Sequence, residues 1–464
     1  MARCSRRARQ RRRRVLRKYM AILPRYTSSP FPDDDLTPRE RRLSWEQLAP
    51  LGLESVLGLS AADVGAFFDE GFEREPRLFE RSCASSWLAA LPRWADVFEV
   101  VARCERGRGA GLAQALVFKD GAPSTAYASA AHGWLDAASI IVNRLDAVWE
   151  GARQLSVDLR HHLPHAYCQL YATPASAQAV DAHADDRDVF VVQLEGSKRW
   201  VVYGDPPVPL PNPSEQAGKC FALPVDHEAS APRRVEATLH RGDVLYVPRG
   251  YVHEAKTAGE ASLHATVAVA TYDWTWAKLC AAASTSDASA ALAAAARLEK
   301  RTVTPRGAHW WRRCADPALV CAGHGAARRE RARKVAGVAG EELDVAAEEL
   351  AAAFADRLKA HRAAQAAPID GDAAAPPKLR TLAPGVFVRR LRDSEAAKKA
   401  SGAGGLVARE EMAAILPVIL AAVSTAPFDV DKWTALDPLS RSALAAVAVD
   451  LGILVVCGAD GARV

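Results

Sequence analysis

Between residues 165 and 272 the chain alternates short apolar runs with clusters of Gly, Pro and Ser. Residues 188–194 are nearly all apolar and read as a strand. Glu195, Gly196 and Ser197 read as a tight turn, and residues 198–203 as the returning strand of a hairpin. A second block, residues 242–250, reads as turn, strand and turn, and leads into His253. The last strand of the region contains residues 262–268, and period-two alternation puts His264, Thr266 and Ala268 on one face. Short strands and frequent turns predict a small barrel, whose mouth is the natural place for a ligand.

Helical spacing dominates on both sides of this region. Residues 63–75 suit a helix that stops before Pro76, with Asp63 as its N-cap. Trp87, Leu88, Leu91, Trp94, Val97 and Val100 recur at helical intervals. Residues 125–150 combine a strand lead-in with an amphipathic helix, and residues 140–143 form a short apolar strand. Residues 277–300 and 328–366 are rich in Ala with scattered charges, a helix composition. Residues 366–378 read as linker. Beyond about residue 408, two helical stretches precede the apolar residues 452–458, which suggests a small winged-helix module. The expected division is a basic leader and linker over 1–43, an N-terminal helical part over 44–124 and a barrel over 125–276. A helical segment over 277–365, the linker over 366–378 and the winged-helix-like region over 379–464 complete it.

Candidate chemistry enters at His183-Ala184-Asp185. Residues i and i+2 of an extended segment point the same way, so His183 and Asp185 can reach one metal together. His253, at the end of a later strand, can supply a third ligand. Two imidazoles and one carboxylate fill one face of an octahedral Fe(II) and leave the opposite face open. The triplet alone is weak, since a chain with 12 His produces such spacing by chance; its position at the ends of paired strands strengthens it. The open face suits a 2-oxo acid and O2, and the far carboxylate of 2-oxoglutarate needs a cation inside the barrel. Lys198 shares a strand face with Trp200 and Val202, so it is the candidate. Its ordinary reading is a surface Lys beside Arg199. Asp186 reads as a loop carboxylate or a supporting neighbour of the ligand Asp185. His264 reads equally as packed core or as functional. His161, His162 and His165 form a cluster interrupted by Pro164, which reads as a solvated loop sooner than as a second metal site.

Composition narrows the setting. Apolar content of 49% and charged content of 25% are ordinary for a globular chain of 464 residues. No apolar run is long enough to span a bilayer, and no secretory signal pattern opens the chain. Nine scattered Cys without a CxxC pair argue for reduced thiols and against a zinc ribbon. Ten Arg and Lys within residues 1–18 exceed the net charge of +5, so the remainder is mildly acidic. A polycationic leader reads as a nuclear or nucleolar address; an organellar transit peptide and a solvated tail are the alternatives.

Residues 164–276 resemble the JmjC-type ribosomal oxygenases, a branch of the cupin-like 2-oxoglutarate oxygenases. The resemblance is carried by residues 171–174, 183–186, 193–200, 242–250 and 262–264, and more faintly by residues 72–76. It implies an α+β fold: a double-stranded β-helix barrel with N-terminal helices, a helical dimerisation segment and a C-terminal winged helix. It implies Fe(II) on His183, Asp185 and His253, 2-oxoglutarate held by Lys198, and Tyr171 and Gln169 lining the cofactor pocket. It further implies hydroxylation of a histidine β-carbon in a ribosomal protein, with demethylation of histone lysine as a second attributed activity, and a homodimer in the nucleus, above all the nucleolus. Gln169 stands where the family usually has Asn, and Ala268 where it usually has Ser, which puts substrate preference or rate in question. The winged-helix region mixes Arg441 and Arg463 with five Asp, so sequence-specific DNA binding is not expected of it. The reading from another class is a non-catalytic chromatin or ribosome scaffold that uses the winged helix and the basic leader.

Overall fold

In a computed structural model, most of residues 52–300 can be described, together with 312–314, a few positions between 352 and 359, and the segments 387–390, 428–429, 438–450 and 454–457. The basic leader lies outside the described residues.

Among the described residues, the first elements of the N-terminal part are α1 (Leu53–Leu57) and α2 (Ala61–Ala66), which passes into a π-turn over Phe67–Gly71. The N-cap is Ser60 rather than Asp63. The Ser60 hydroxyl accepts from the Asp63 amide and donates to the Asp63 carboxylate, so Asp63 closes the first turn from inside the helix. The helical spacing over residues 87–100 belongs to more than one helix. Pro92 separates α3 (Ser85–Ala90) from a 3-10 turn (Trp94–Asp96) and α4 (Val97–Glu105). The same region, expected to be helical, also supplies strands β1 (Arg77–Phe79), β2 (Gln114–Lys119) and β3 (Ala122–Pro123). Helix α5 (Ala130–Leu135), strand β4 (Ser139–Asn143) and helix α6 (Glu150–Asp158) follow.

The barrel strands are β5 (Ala166–Thr173), β6 (Asp188–Gly196), β7 (Lys198–Tyr203), β8 (Arg233–Leu239), β9 (Val244–Val247), β10 (His253–Lys256) and β11 (Ser262–Val269). They divide between two antiparallel sheets. The larger has the order β1-β9-β6-β11-β5-β4-β2-β3, and the smaller β10-β7-β8. The expected hairpin of residues 188–203 does not form: β6 pairs with β11 and β9, while β7 pairs with β10 and β8. The Gly196 corner instead carries the chain from one sheet to the other. Gly196 has φ +65°, and a Cβ there would lie 1.9 Å from the Ala261 carbonyl oxygen. Gly196→Ala is therefore expected to destabilise the protein by roughly 2 kcal/mol or more, read as a lower denaturation midpoint. An unchanged midpoint would show that the corner relaxes freely.

Alternation explains why β6 and β11 are apolar or small along most of their length. Val189, Val191 and Ala268 face the smaller sheet, where they pack with Trp200, Val202 and Leu239. Phe190, Val192, Leu263, Ala265 and Val267 face the helices, where they join Trp87, Val97, Trp134 and Leu155. Both faces of the large sheet are thus covered at β6 and β11. Buried Arg249 fixes one end: it donates to Glu73 Oε1 at 2.7 Å, to the Pro211 carbonyl at 3.3 Å and to the Arg312 carbonyl. Removing either charge of the Arg249–Glu73 pair would leave the other buried and unpaired.

Downstream, α7 (Trp276–Ser284) and α8 (Ala288–Glu299) confirm helices at the start of the Ala-rich stretch. Strands β12 (Phe387–Arg390), β13 (Phe428–Asp429) and β14 (Leu454–Cys457) form a third small sheet, and helix α9 (Pro438–Asp450) precedes β14. Helix α9 docks on α5. The Trp134 indole donates to Ser440 Oγ at 3.0 Å, and Leu439, Ala443 and Leu444 join the main core. No helix among the described residues is long and apolar enough to cross a membrane.

Candidate metal centre

The metal loop and β10 are fixed to each other through the backbone. His183 and His253 exchange N–H···O bonds of 3.1 and 2.9 Å, which places the two imidazoles side by side. Ala184 points the other way and is buried with Val201, Tyr203 and Val252. That alternation turns His183 and Asp185 to the same side. The Gly250 amide donates to the Asp185 carbonyl at 2.9 Å and ties the loop to the turn before His253.

Each imidazole Nδ1 faces a backbone carbonyl: Asp181 O at 2.6 Å for His183, and Tyr251 O at 3.1 Å for His253. Nδ1–H donation to those carbonyls leaves Nε2 as a lone pair in both rings, the tautomer a metal requires. The two Nε2 atoms lie 3.9 and 3.8 Å from Asp185 Oδ1 and Oδ2. The ligand atoms all fall within 4.8 Å of one another, the one such group among the described residues. Burial, helped by the neighbouring imidazole, pushes His183 down to about 3. Burial also lowers His253, so both rings are neutral near pH 7. Burial opposes ionisation of Asp185, yet Lys219 and the two imidazoles hold its carboxyl below the usual carboxylate range. Two neutral imidazoles and one carboxylate are the donor set of an open-faced ferrous site.

These side chains line a cavity of about 300 Å³ between the two sheets. Lys198 lies in the same cavity, 2% exposed, and its ammonium donates to Thr173 Oγ1 at 2.9 Å. No carboxylate among the described residues pairs with it, and burial pulls its pKa down to about 7. A cation desolvated this strongly with one hydroxyl partner fits an anionic ligand. His264 stands beside it, stacked on Tyr171 with ring centroids 4.8 Å apart, and its Nδ1 has no partner among the described residues. Burial, then Lys198, drives the His264 pKa far down, so this ring is neutral too.

Tyr171 and Gln169 both line the cavity. The Tyr171 hydroxyl donates to Gln169 Oε1 and the Gln169 amide donates to Asn143 Oδ1, each at 3.1 Å. Thr266 also lines it, whereas Ala268 packs deeper, between the sheets. Asp186 is not a member of the triad and pairs with Arg187 at 2.7 Å. His162 stacks on Phe68 and pairs with Glu54 at 3.4 Å, so it serves the N-terminal helices. His161 lies outside the described residues. Sequence reasoning missed Asn143, Arg187 and Lys219. Asn143 ends an apolar strand and is legible only once β4 is known to wall the cavity. Arg187 and Lys219 lie outside the strands, where no periodicity assigns a direction.

Residues 149–278 match the family model described as the JmjC domain. The chain is 40% identical over 101 residues to the bifunctional lysine-specific demethylase and histidyl-hydroxylase NO66 of Drosophila melanogaster, covering 22% of this chain and 15% of that protein. It is 40% identical over 104 residues to ribosomal oxygenase 2 of Bos taurus, covering 22% and 20%. The chain thus spans no more than about a fifth of the length of these curated relatives. Among solved structures, the Escherichia coli ribosomal oxygenase YcfD aligns over 86% of this chain and 98% of that one, with 16% identity and a TM-score of 0.38.

Proposed function

On the premise that residues 149–278 are a JmjC domain, we propose that the protein is an Fe(II)- and 2-oxoglutarate-dependent oxygenase that modifies a protein side chain. The single observation that carries the reading is the convergence of His183, Asp185 and His253 in the same cavity as Lys198, a buried cation that no carboxylate among the described residues pairs. When bound, ferrous iron and 2-oxoglutarate supply oxidative decarboxylation by O2, which yields succinate and CO2 and places one oxygen atom in a substrate C–H bond.

The chain's own residues bind, orient and shield. His183 and His253 offer Nε2, held in place by the carbonyls of Asp181 and Tyr251. Lys198 takes the far carboxylate of 2-oxoglutarate, and that anion replaces the water the buried ammonium lost. Leu116, Phe118 and Ile141 form an apolar wall that limits water around the reacting atoms. Tyr171, Gln169 and Asn143 give that wall a polar strip able to orient a substrate side chain.

The names of the similar proteins support a histidine, and a ribosomal target, as the first choice and a lysine as the second; a histone tail as the source of that lysine is part of this proposal. A homodimer through the helical segment and a nuclear location belong to the same proposal, as does a winged-helix role for the C-terminal region. The test is incubation of the iron-loaded protein with 2-oxoglutarate, ribosomal proteins and histone tails. Succinate formation with a gain of one oxygen on His supports hydroxylation, and loss of methyl groups from Lys supports demethylation. Absence of succinate would overturn the oxygenase reading.

A further inference from the structure

Lys219 is the one cation among the described residues whose side chain bonds a member of the triad, through Asp185 Oδ1. It sits on a turn built against the metal loop. The Ala184 amide donates to the Ala217 carbonyl, and the Gly218 amide to the Phe221 carbonyl, both at 2.8 Å. The Cys220 amide closes the turn on the Gln216 carbonyl at 2.7 Å. Gly218 has φ +77°, and a Cβ there would lie 2.4 Å from the Ala182 carbonyl oxygen and 2.9 Å from His183 Cα. Only glycine allows this approach, and the approach brings the next residue, Lys219, over the carboxylate. The two carboxylate oxygens differ in their partners: Oδ1 accepts from the ammonium and lies 3.9 Å from His183 Nε2, while Oδ2 has no ammonium on it and lies 3.8 Å from His253 Nε2.

We propose that Lys219 is a positioning residue that occupies Oδ1 of Asp185, so that the carboxylate meets the metal through Oδ2 alone. The inference rests on the metal reading above. A carboxylate released from Lys219 has two free oxygens and can chelate, which consumes a coordination position that the co-substrate or O2 needs. Lys219 also repels a dication. Its side chain is 38% exposed, so water screens that repulsion to a modest size.

The test is an anaerobic titration with Co(II), followed by 2-oxoglutarate, read by visible absorption and calorimetry. Lys219→Met is expected to bind Co(II) about tenfold more tightly, with weaker cobalt absorption as the coordination number rises. The cobalt-loaded variant is expected to bind 2-oxoglutarate about tenfold more weakly. Lys219→Arg, which keeps a cation on Oδ1, restores both towards wild type. Wild-type affinities and spectrum in Lys219→Met would overturn the inference, as would weaker cobalt binding. A wild-type protein that binds no Co(II) at all would overturn the metal reading and this inference with it.

Discussion

Replacing His183 by Ala is expected to lower 2-oxoglutarate turnover by on the order of a thousandfold or more, because metal-dependent stabilisation is worth several kcal/mol. The substitution removes one of two neutral imidazoles and leaves Asp185 and His253 as an incomplete face. His183 is held from two sides, by the backbone bonds to His253 and by the Asp181 carbonyl on Nδ1. The fold around it rests on the packed sheets, so the loss is expected in metal content and succinate release while the denaturation midpoint of the metal-free protein moves little. Metal analysis after gel filtration and a succinate assay check this. Turnover equal to wild type would show that the triad is not the reacting centre.

Lys198→Met is expected to have the next largest effect. Removing the cation leaves the far carboxylate of 2-oxoglutarate facing an apolar interior, which typically costs 2–5 kcal/mol, so its dissociation constant rises by about a hundredfold. The same substitution is expected to stabilise the ligand-free protein, since a desolvated ammonium gives way to an apolar chain of similar volume. Burial sets the accompanying pH dependence. The Lys198 ammonium titrates at about 7 in the folded, ligand-free protein, and at about 10.4 in an unfolded chain. Between those values the unfolded state holds a proton that the folded state lacks, so stability rises with pH across this window. Below about 7 both states are protonated, and the destabilisation is at its full extent. Binding a dianion beside Lys198 favours the ammonium, so near pH 8 each site is expected to take up close to one proton with the ligand. Calorimetry in buffers of different ionisation heat measures that uptake. Its absence from wild type, or its persistence in Lys198→Met, would contradict the assignment.

Much of this site is legible in the sequence because strand alternation is a strict rule. The i, i+2 spacing of His183 and Asp185, and the shared face of His264, Thr266 and Ala268, follow from a period of two, and the structure places each pair or trio as that period requires. Lys198 is legible for the same reason. The partner of each strand is not. Residues 188–203 carry the local signature of a hairpin, and only contacts distant in sequence decide that β6 and β7 enter different sheets at Gly196. Strands β1 and β3 escaped notice because they are only 3 and 2 residues long, and β2 because it lies between the helical stretches α4 and α5. β1 gains its order from pairing with β9, some 165 residues later. Lys219 escaped because a turn has no period; its position depends on how closely Gly218 lets two loops approach.

The most direct measurement is an anaerobic titration of the protein with Fe(II) and 2-oxoglutarate, watched for the visible charge-transfer band that arises when a 2-oxo acid chelates ferrous iron. The expected band saturates at one iron per chain, fails to form in His183→Ala, and needs far more 2-oxoglutarate in Lys198→Met. A wild-type protein that shows no band at saturating iron and 2-oxoglutarate, or a band of full intensity in His183→Ala, would contradict the proposed site.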